Sequence, residues 1–510
     1  MLFKNKFAGY LLLGSLIAAS CTKKLDTNQQ NPNSVTTNAI QGKDAFSSAL
    51  VNTCYIVNAT PINSAGSPAG NGITPLTAEW MGVWARTTSY SASGTQYQIE
   101  AFQLVNSFGD NFWGSMYHNM ADYDFAASKA AKGSILPGAS LVMKCMIFQD
   151  LVDIFGDVPY SQALIPTITQ PKYDAAASIY ADLPLKLDSA MSLISGSSAT
   201  SDDASDVMFK GDKASWLAFA NTLKLRILLR QVPNAASAAS LQAELNKTAA
   251  NGYLGAGQDA TVNPGFADAV NKQSPFWQVF GFQVASKNPY QNNTFYVANQ
   301  YLIDLLNNLG DPRLAFIFNA SPSGGFAGNF LGDANNAKQV SNLSTIGSGV
   351  LKSPGMPGAI MLATESLFLQ AEAAQRGLIT GADYHALFNQ AVAESFRYLG
   401  VPNAAGAAAN YISSSTDARV NPASASDPIQ TIIYQKYIAL SEIDGLEQWS
   451  DWRRTGYPDR TAPSVNVAAN PNQIPKRLLY PLTETSLNPA NYGAEHQQNS
   501  DIYTKIFWGL

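Results

Sequence analysis

The sequence predicts a mostly α-helical protein built from tetratricopeptide-like helix pairs, with a loop-rich segment set into the helical scaffold. Three observations carry this expectation. Apolar residues recur at three- and four-residue steps through about 41–250 and again through about 361–460. Between about 251 and 360, Gly, Pro, Asn, Ser and aromatic residues crowd together, and irregular chain of this kind usually serves a surface purpose. Several alanine-containing helical stretches of similar size follow one another, and small residues let antiparallel helices approach closely. No strict repeat is legible.

In chain order, residues 1–20 read as a signal peptide. Lys4 and Lys6 precede an apolar run from Leu11 to Ala19, which is too short to cross a bilayer core of about 30 Å. Ala18, Ala19 and Ser20 stand directly before Cys21, an arrangement that resembles a bacterial lipobox, whose cysteine is acylated after cleavage. The competing reading is an ordinary secreted protein with an incidental Cys21. Residues 21–40, in which TKKLDTNQQNPNS follows Cys21 and is too polar to bury a core, read as a lipidated flexible tether. Residues 41–510 are expected to form one domain.

Within it, Pro171 and Asp174 signal a helix whose stripe is Tyr180, Leu183, Leu187, Ala190 and Ile194, with Pro184 as a possible kink. Ser215 is a candidate cap for the next helix, which places Trp216, Phe219, Leu223 and Ile227 on one face. Leu217, Leu225 and Leu228 lie off that face, so this helix should be surrounded by protein. One helix, VANQYLIDLLNNL, interrupts the loop-rich segment. Helical patterns return at SLFLQAEAAQRG, at ADYHALFNQAVAESFRYLG and from Asp427 to about Pro458.

Composition narrows the function classes. With 46% hydrophobic and 14% charged residues, the 510-residue chain can build a large core. A net charge of −5 without a basic run argues against nucleic-acid binding. Cys54 and Cys145 sit in apolar stretches and are expected to be buried free thiols, although sequence leaves a bond between them open. His118, His385 and His496 are far apart, so neither a metal site nor a catalytic histidine is expected. No cofactor is implied, and no loop has recognised calcium spacing.

Six segments then occur in a telling order: LVDIFGDVPYSQAL (151–164), WLAFANTLKLRILLR (216–230), DPRL (311–314), ESLFLQAEAAQRG (365–377), YQKYIALSEIDGLEQWSDWRRTGYP (434–458) and IPKRLLYPLTETSLNP (474–489). Together, behind a lipobox, they resemble the SusD/RagB family. The resemblance implies a SusD-like α superhelix with four tetratricopeptide-like helix pairs and a loop-rich ligand region. It also implies a lipid-anchored outer-membrane protein facing the cell exterior. Such a protein captures oligosaccharides, or sometimes peptides, for a SusC-like TonB-dependent transporter and is not an enzyme.

The residues of these segments read mainly as scaffold. Gly156 permits a turn, Asp157 can accept from nearby amides and Pro159 stops a helix. Asp153 and Asp157 lack a third acid or histidine and are not expected to hold a metal. Trp449 and Trp452 share a helix face. Arg453 and Arg454 are expected to pair in the interior with Asp451 or Glu447, and Glu365 and Glu372 to cap helices or pair with arginines.

A neutral sugar is held by aromatic faces against its C–H surfaces and by amide or carboxylate groups on its hydroxyls. Two stretches supply both. The first offers Trp80, Trp84, Tyr90 and Tyr97 with Gln96 and Gln98. The second offers Trp277, Phe280, Tyr290 and Tyr296 with Gln278, Gln291, Asn292 and Asn293. The competing reading puts Trp80 and Trp84 in one helix of the core and makes Tyr296 an anchor for the helix that follows it. Other functions stay open at this point: a peptide-binding member of the same family, a ligand-silent lid, or a glycoside hydrolase. The last would need two carboxylates roughly 5–10 Å apart across a cleft, and no spacing singles out a pair.

Overall fold

The computed structural model describes residues 40–59, 72–234, 237–333, 338–494 and 499–510. The leader, the acylation site Cys21 and nearly all of the tether expected from the sequence lie outside these residues. The first half is helical: α1 (Gly42–Asn58), α2 (Ile73–Trp80), β1 (Trp84–Arg86), α3 (Thr95–Ala101), α4 (Asp110–Lys129), α5 (Leu136–Phe155), β2 (Val158–Pro159), β3 (Tyr173–Asp174), α6 (Ala176–Gly196), α7 (Lys213–Arg230) and α8 (Ala238–Asn246). Short elements follow: β4 (Ala260–Val262), α9 (Pro275–Phe280), α10 (Gln291–Phe295), β5 (Tyr296–Ala298), α11 (Gln300–Asn308), α12 (Leu314–Ile317) and β6 (Gly358–Met361). Longer helices then return as α13 (Ala363–Gln375), α14 (Tyr384–Leu399), α15 (Ala404–Ser414), α16 (Pro428–Ala439) and α17 (Gly445–Thr455).

The helices stack in a continuous row. Helix α1 packs on α4, α4 on α5, α5 on α6 and α6 on α7, after which α7 meets α13 and α13 meets α14. This is the mostly α arrangement of helix pairs that the sequence predicts. The stripe of α6 is fully buried, and the helix runs through Pro184. Its start differs from expectation. Tyr173 and Asp174 pair with β2 instead, and Asp157 Oδ1 accepts the Ala176 N–H at 2.8 Å, so the carboxylate of FGDVPY fastens the helix start. Helix α7 is capped by Asp212 rather than Ser215: the Asp212 carboxylate accepts the Ser215 N–H at 2.8 Å. As its all-round apolar pattern predicts, α7 is buried on nearly every side.

Charged side chains stitch the row together from inside. Arg226 on α7 reaches Glu365 on α13 at 3.3 Å and Glu447 on α17 at 3.4 Å. Arg230 pairs with Asp153 on α5 at 2.8 Å, and Lys436 on α16 with Glu447 and Asp451. Arg454 binds Glu372 and Asp451, as expected. Among the described residues, Arg453 has no carboxylate within ion-pair distance. Its guanidinium lies 3.5 Å from the centroid of the fully buried Trp449 and donates to the carbonyls of Asp153 and Lys476, and burial lowers it to about 9. Trp452, on the other hand, stays partly exposed. Cys54 and Cys145 are free and buried, and burial pushes the Cys145 thiol up to about 12.

Among the described residues, three two-stranded antiparallel ribbons complete the fold: β1 with β5, β2 with β3, and β4 with β6. Each is only two to four residues long, so none forms a sheet of its own. Their role is to tie distant segments, and the β1–β5 ribbon positions the candidate site.

Candidate ligand face

The β1–β5 register sets Trp84 opposite Ala298 and Arg86 opposite Tyr296. Two aromatic stretches about two hundred residues apart in sequence therefore converge. Beneath the ribbon, the Trp84 ring stacks on Tyr296 with centroids 5.1 Å apart and meets Phe280 at 5.0 Å. The Trp84 indole N–H donates to Glu442 Oε1 at 2.7 Å. Trp80 packs on Trp449 at 5.5 Å. Trp80, Trp84 and Tyr296 are all buried, so they form the floor of the site and offer no face to a ligand. Burying these large rings against apolar neighbours is worth more than holding them exposed on a loop.

Above this floor, side chains reach the surface at both ends of α10. At its start, Tyr290 is half-buried and its phenol donates to Gln273 Oε1 at 3.0 Å. The buried Gln273 amide in turn donates to Asp268 Oδ1 at 3.2 Å and to the Phe282 carbonyl at 3.0 Å. At the far end, the Tyr90 hydroxyl bonds Thr294 Oγ1 at 2.7 Å and its ring meets Phe295 at 5.1 Å. Tyr290 and Tyr90 thus stand at opposite ends of a five-residue helix roughly 7 Å long.

Trp277 on α9 is half-buried and donates its indole N–H to the Phe282 carbonyl at 3.2 Å, while the two rings lie 5.8 Å apart. Phe282 is 37% exposed. It starts a hairpin in which Gln283 N–H donates to Asn288 at 2.9 Å and Tyr290 N–H donates to Gly281 at 2.9 Å. The Asp268–Lys287 ion pair ties this hairpin to the preceding loop, and the Lys287 bond holds the Asp268 carboxyl below its ordinary range.

The amides divide by use. Gln278 accepts from the Tyr55 phenol at 2.6 Å, Asn293 donates to the Phe280 carbonyl at 2.6 Å, and Gln96 bridges Glu79 and Glu100. These three hold the fold. Asn292 is half-buried on α10, and its side chain has no hydrogen bond among the described residues, which leaves it available to a ligand hydroxyl. Tyr97 is exposed on α3, with no ring partner among the described residues. Phe282, Gly281 and Gln273 are the additions that sequence reasoning missed. The aromatic after Gly281 was visible in PFWQVFGFQ, whereas nothing in the sequence marked Gln273 as the joint.

Beneath Tyr90, Arg86 donates to the Tyr90 carbonyl and pairs with Glu100 at 2.7 Å. Glu79 is fully buried, and burial followed by the Glu100 charge pushes its carboxyl well above the ordinary range. Glu79 and Glu100 are thus sealed under the face and have no access to a glycosidic bond. A separate cleft of about 320 Å³ between α5 and α6 is lined by Phe148, Tyr160, Asp182 and Lys186 among others, and by none of the aromatics above.

A family model described as SusD-like, starch-binding associating with outer membrane, matches residues 43–481. No curated protein matches the chain. Solved structures do. A chitin-binding SusD homologue from Flavobacterium johnsoniae is 21% identical with a TM-score of 0.71, covering 92% of this chain and 98% of its own. A SusD-like protein from Bacteroides thetaiotaomicron gives the same identity, coverage and TM-score. A SusD homologue from Bacteroides fragilis is 20% identical at a TM-score of 0.71, covering 92% of this chain and 99% of its own.

Proposed function

The chain belongs to the SusD-like family, a family of binding proteins associated with the outer membrane, and on that premise we propose that it captures oligosaccharides on the face above α10. The observation that carries this reading is the Trp277–Phe282 pair beside Tyr290 and Asn292. It sets aromatic faces and an uncommitted amide side by side on a rigid base, as sugar recognition requires. The two carboxylates under the same face are buried and already bonded, which favours binding over hydrolysis.

The anchoring and the partner complete the proposal. Cys21 carries the lipid, the tether lets the domain reach outward, and the bound sugar passes to a SusC-like TonB-dependent transporter. Tethering beside the transporter raises the effective concentration of cargo, so a weak site suffices. Retardation of the protein in gels cast with neutral polysaccharides tests the binding step. Slowed migration in at least one polysaccharide is expected. Unaltered migration in all of them, with peptide binding in solution, would replace the sugar by a peptide.

A further inference from the structure

Glu442 lies in the turn between α16 and α17 with φ +67°, a conformation that non-glycine residues adopt at a cost. Its side chain is buried. One carboxyl oxygen, Oε1, accepts the Trp84 indole N–H. Among the described residues the other, Oε2, has no hydrogen-bond partner, and neither has Oδ1 of the buried Asn58 at the end of α1. Both residues line one small, partly open pocket of about 20 Å³, together with Phe276, Met356, Tyr398 and Ile443. The Asn58 amide is oriented by its Nδ2, which donates to the Ile443 carbonyl at 3.4 Å.

Two acceptors facing one cavity need a donor between them. Among the described residues no Lys, Arg or His lines the cavity, so an ionised Glu442 would be a buried charge with only the Trp84 and Gly347 N–H groups to offset it. Two side-chain oxygens fall well short of the six to eight that a hard cation such as calcium takes. A proton on Oε2 answers both needs at once. It removes the charge and turns Oε2 into a donor toward Asn58 Oδ1, directly or across the single water that so small a cavity holds.

We propose that Glu442 is a neutral carboxylic acid whose proton closes onto Asn58, and that this joint positions Trp84 as the rigid floor of the ligand face. The positioning half rests on the sugar-binding reading above; the protonation half does not. Burial pushes the Glu442 carboxyl well above its ordinary range, in keeping with the geometry. The phenol and thiol packed around it are themselves neutral at pH 7, whereas Lys352, lowered to about 8 by burial, stays mostly charged there. Tyr398 on α14 and Cys54 on α1, whose Sγ lies against Gly358, are both raised by burial. Lys352 lies on the Tyr398 ring, its Nζ 3.5 Å from the centroid.

Infrared difference spectra of the full chain, wild type minus Glu442→Gln at pH 7, read the protonation directly. A protonated carboxylic-acid C=O stretch belonging to Glu442 is expected. Ionised carboxylate bands in its place, or wild-type stability that rises with added sodium or calcium, would overturn the proposal. For the positioning half, Glu442→Gln can still accept from Trp84 and donate to Asn58, so it should retain the wild-type near-UV circular dichroism and glycan affinity. Glu442→Leu should lose at least tenfold in affinity and alter the tryptophan dichroism. Equal affinity and dichroism in all three would refute positioning. If Glu442→Leu fails to fold, the infrared comparison still decides protonation, and loss of the dichroism in Glu442→Gln would still refute positioning. If wild type binds no glycan, the dichroism alone reads the floor, and the sugar reading fails separately.

Discussion

Trp277 owes its place to Gly281. A Cβ at position 281 would lie 2.6 Å from the indole ring, so a side chain there has no space beside it. Gly281→Ala should therefore tilt the ring off the hairpin and weaken glycan binding about as much as Trp277→Ala. Removing a stacking ring is worth about 1–1.5 kcal/mol, or roughly tenfold in affinity. Calorimetric titration of Trp277→Ala, Tyr290→Ala and Gly281→Ala checks this, with melting temperatures recorded to show that the half-buried positions cost little stability. A Gly281→Ala protein with wild-type affinity would show that the indole packing is incidental. At this scale the sequence was legible for Trp277 and Tyr290, where Pro, Gly and Asn flank the rings. It could not separate Trp84 or Tyr296 from them, because a three-residue strand leaves no periodicity to show which way a ring points.

Among the elements, long helices were the clearest. The apolar stripe of α6 and the all-round pattern of α7 both predict the burial found, because burial follows side-chain spacing. Helix starts were harder, since several polar residues compete for each cap. Asp212 lies three residues before Ser215 and offers a carboxylate to the Ser215 hydroxyl and N–H, and these bonds, the hydroxyl first, hold its carboxyl below the ordinary range. Asp212→Ala should cost about 1 kcal/mol, whereas Ser215→Ala should cost much less; denaturant midpoints of the two variants decide between the caps. The ribbons were not legible at all. The β1–β5 pairing depends on residues 84–86 meeting 296–298, and its only sequence trace is the presence of aromatics in both stretches.

Across the whole molecule, buried ion pairs join helices that are distant in sequence, and they make stability depend on pH. Arg454 and Arg376 draw the Glu372 carboxyl down to about 2, against an ordinary 4.5. A carboxyl lowered in the folded state contributes stability that is fully present above its ordinary range and is lost as pH falls through about 2. Glu372→Gln should cost about 3 kcal/mol near neutrality, because it leaves Arg454 with only Asp451. That deficit should shrink as the pH is lowered toward 2, read from denaturant midpoints across a pH series. Glu79 works in the opposite direction. Its carboxyl is raised by burial, so it stabilises the fold while protonated and weakens it as pH rises. The sequence foretold the Arg454–Asp451 pair and an arginine partner as one option for Glu372, but not the role of Arg453, since only the folded chain shows which arginine faces Trp449.

The central claim is that the face above α10 binds sugar through Trp277 and Tyr290. Calorimetric titration of the wild type and the Trp277→Ala/Tyr290→Ala double variant, using the polysaccharide that most retards the protein in gels, tests it most directly. The account predicts a measurable wild-type affinity that falls about a hundredfold in the double variant while the fold is retained. Equal affinity in the two proteins would contradict it and place the ligand elsewhere on the molecule.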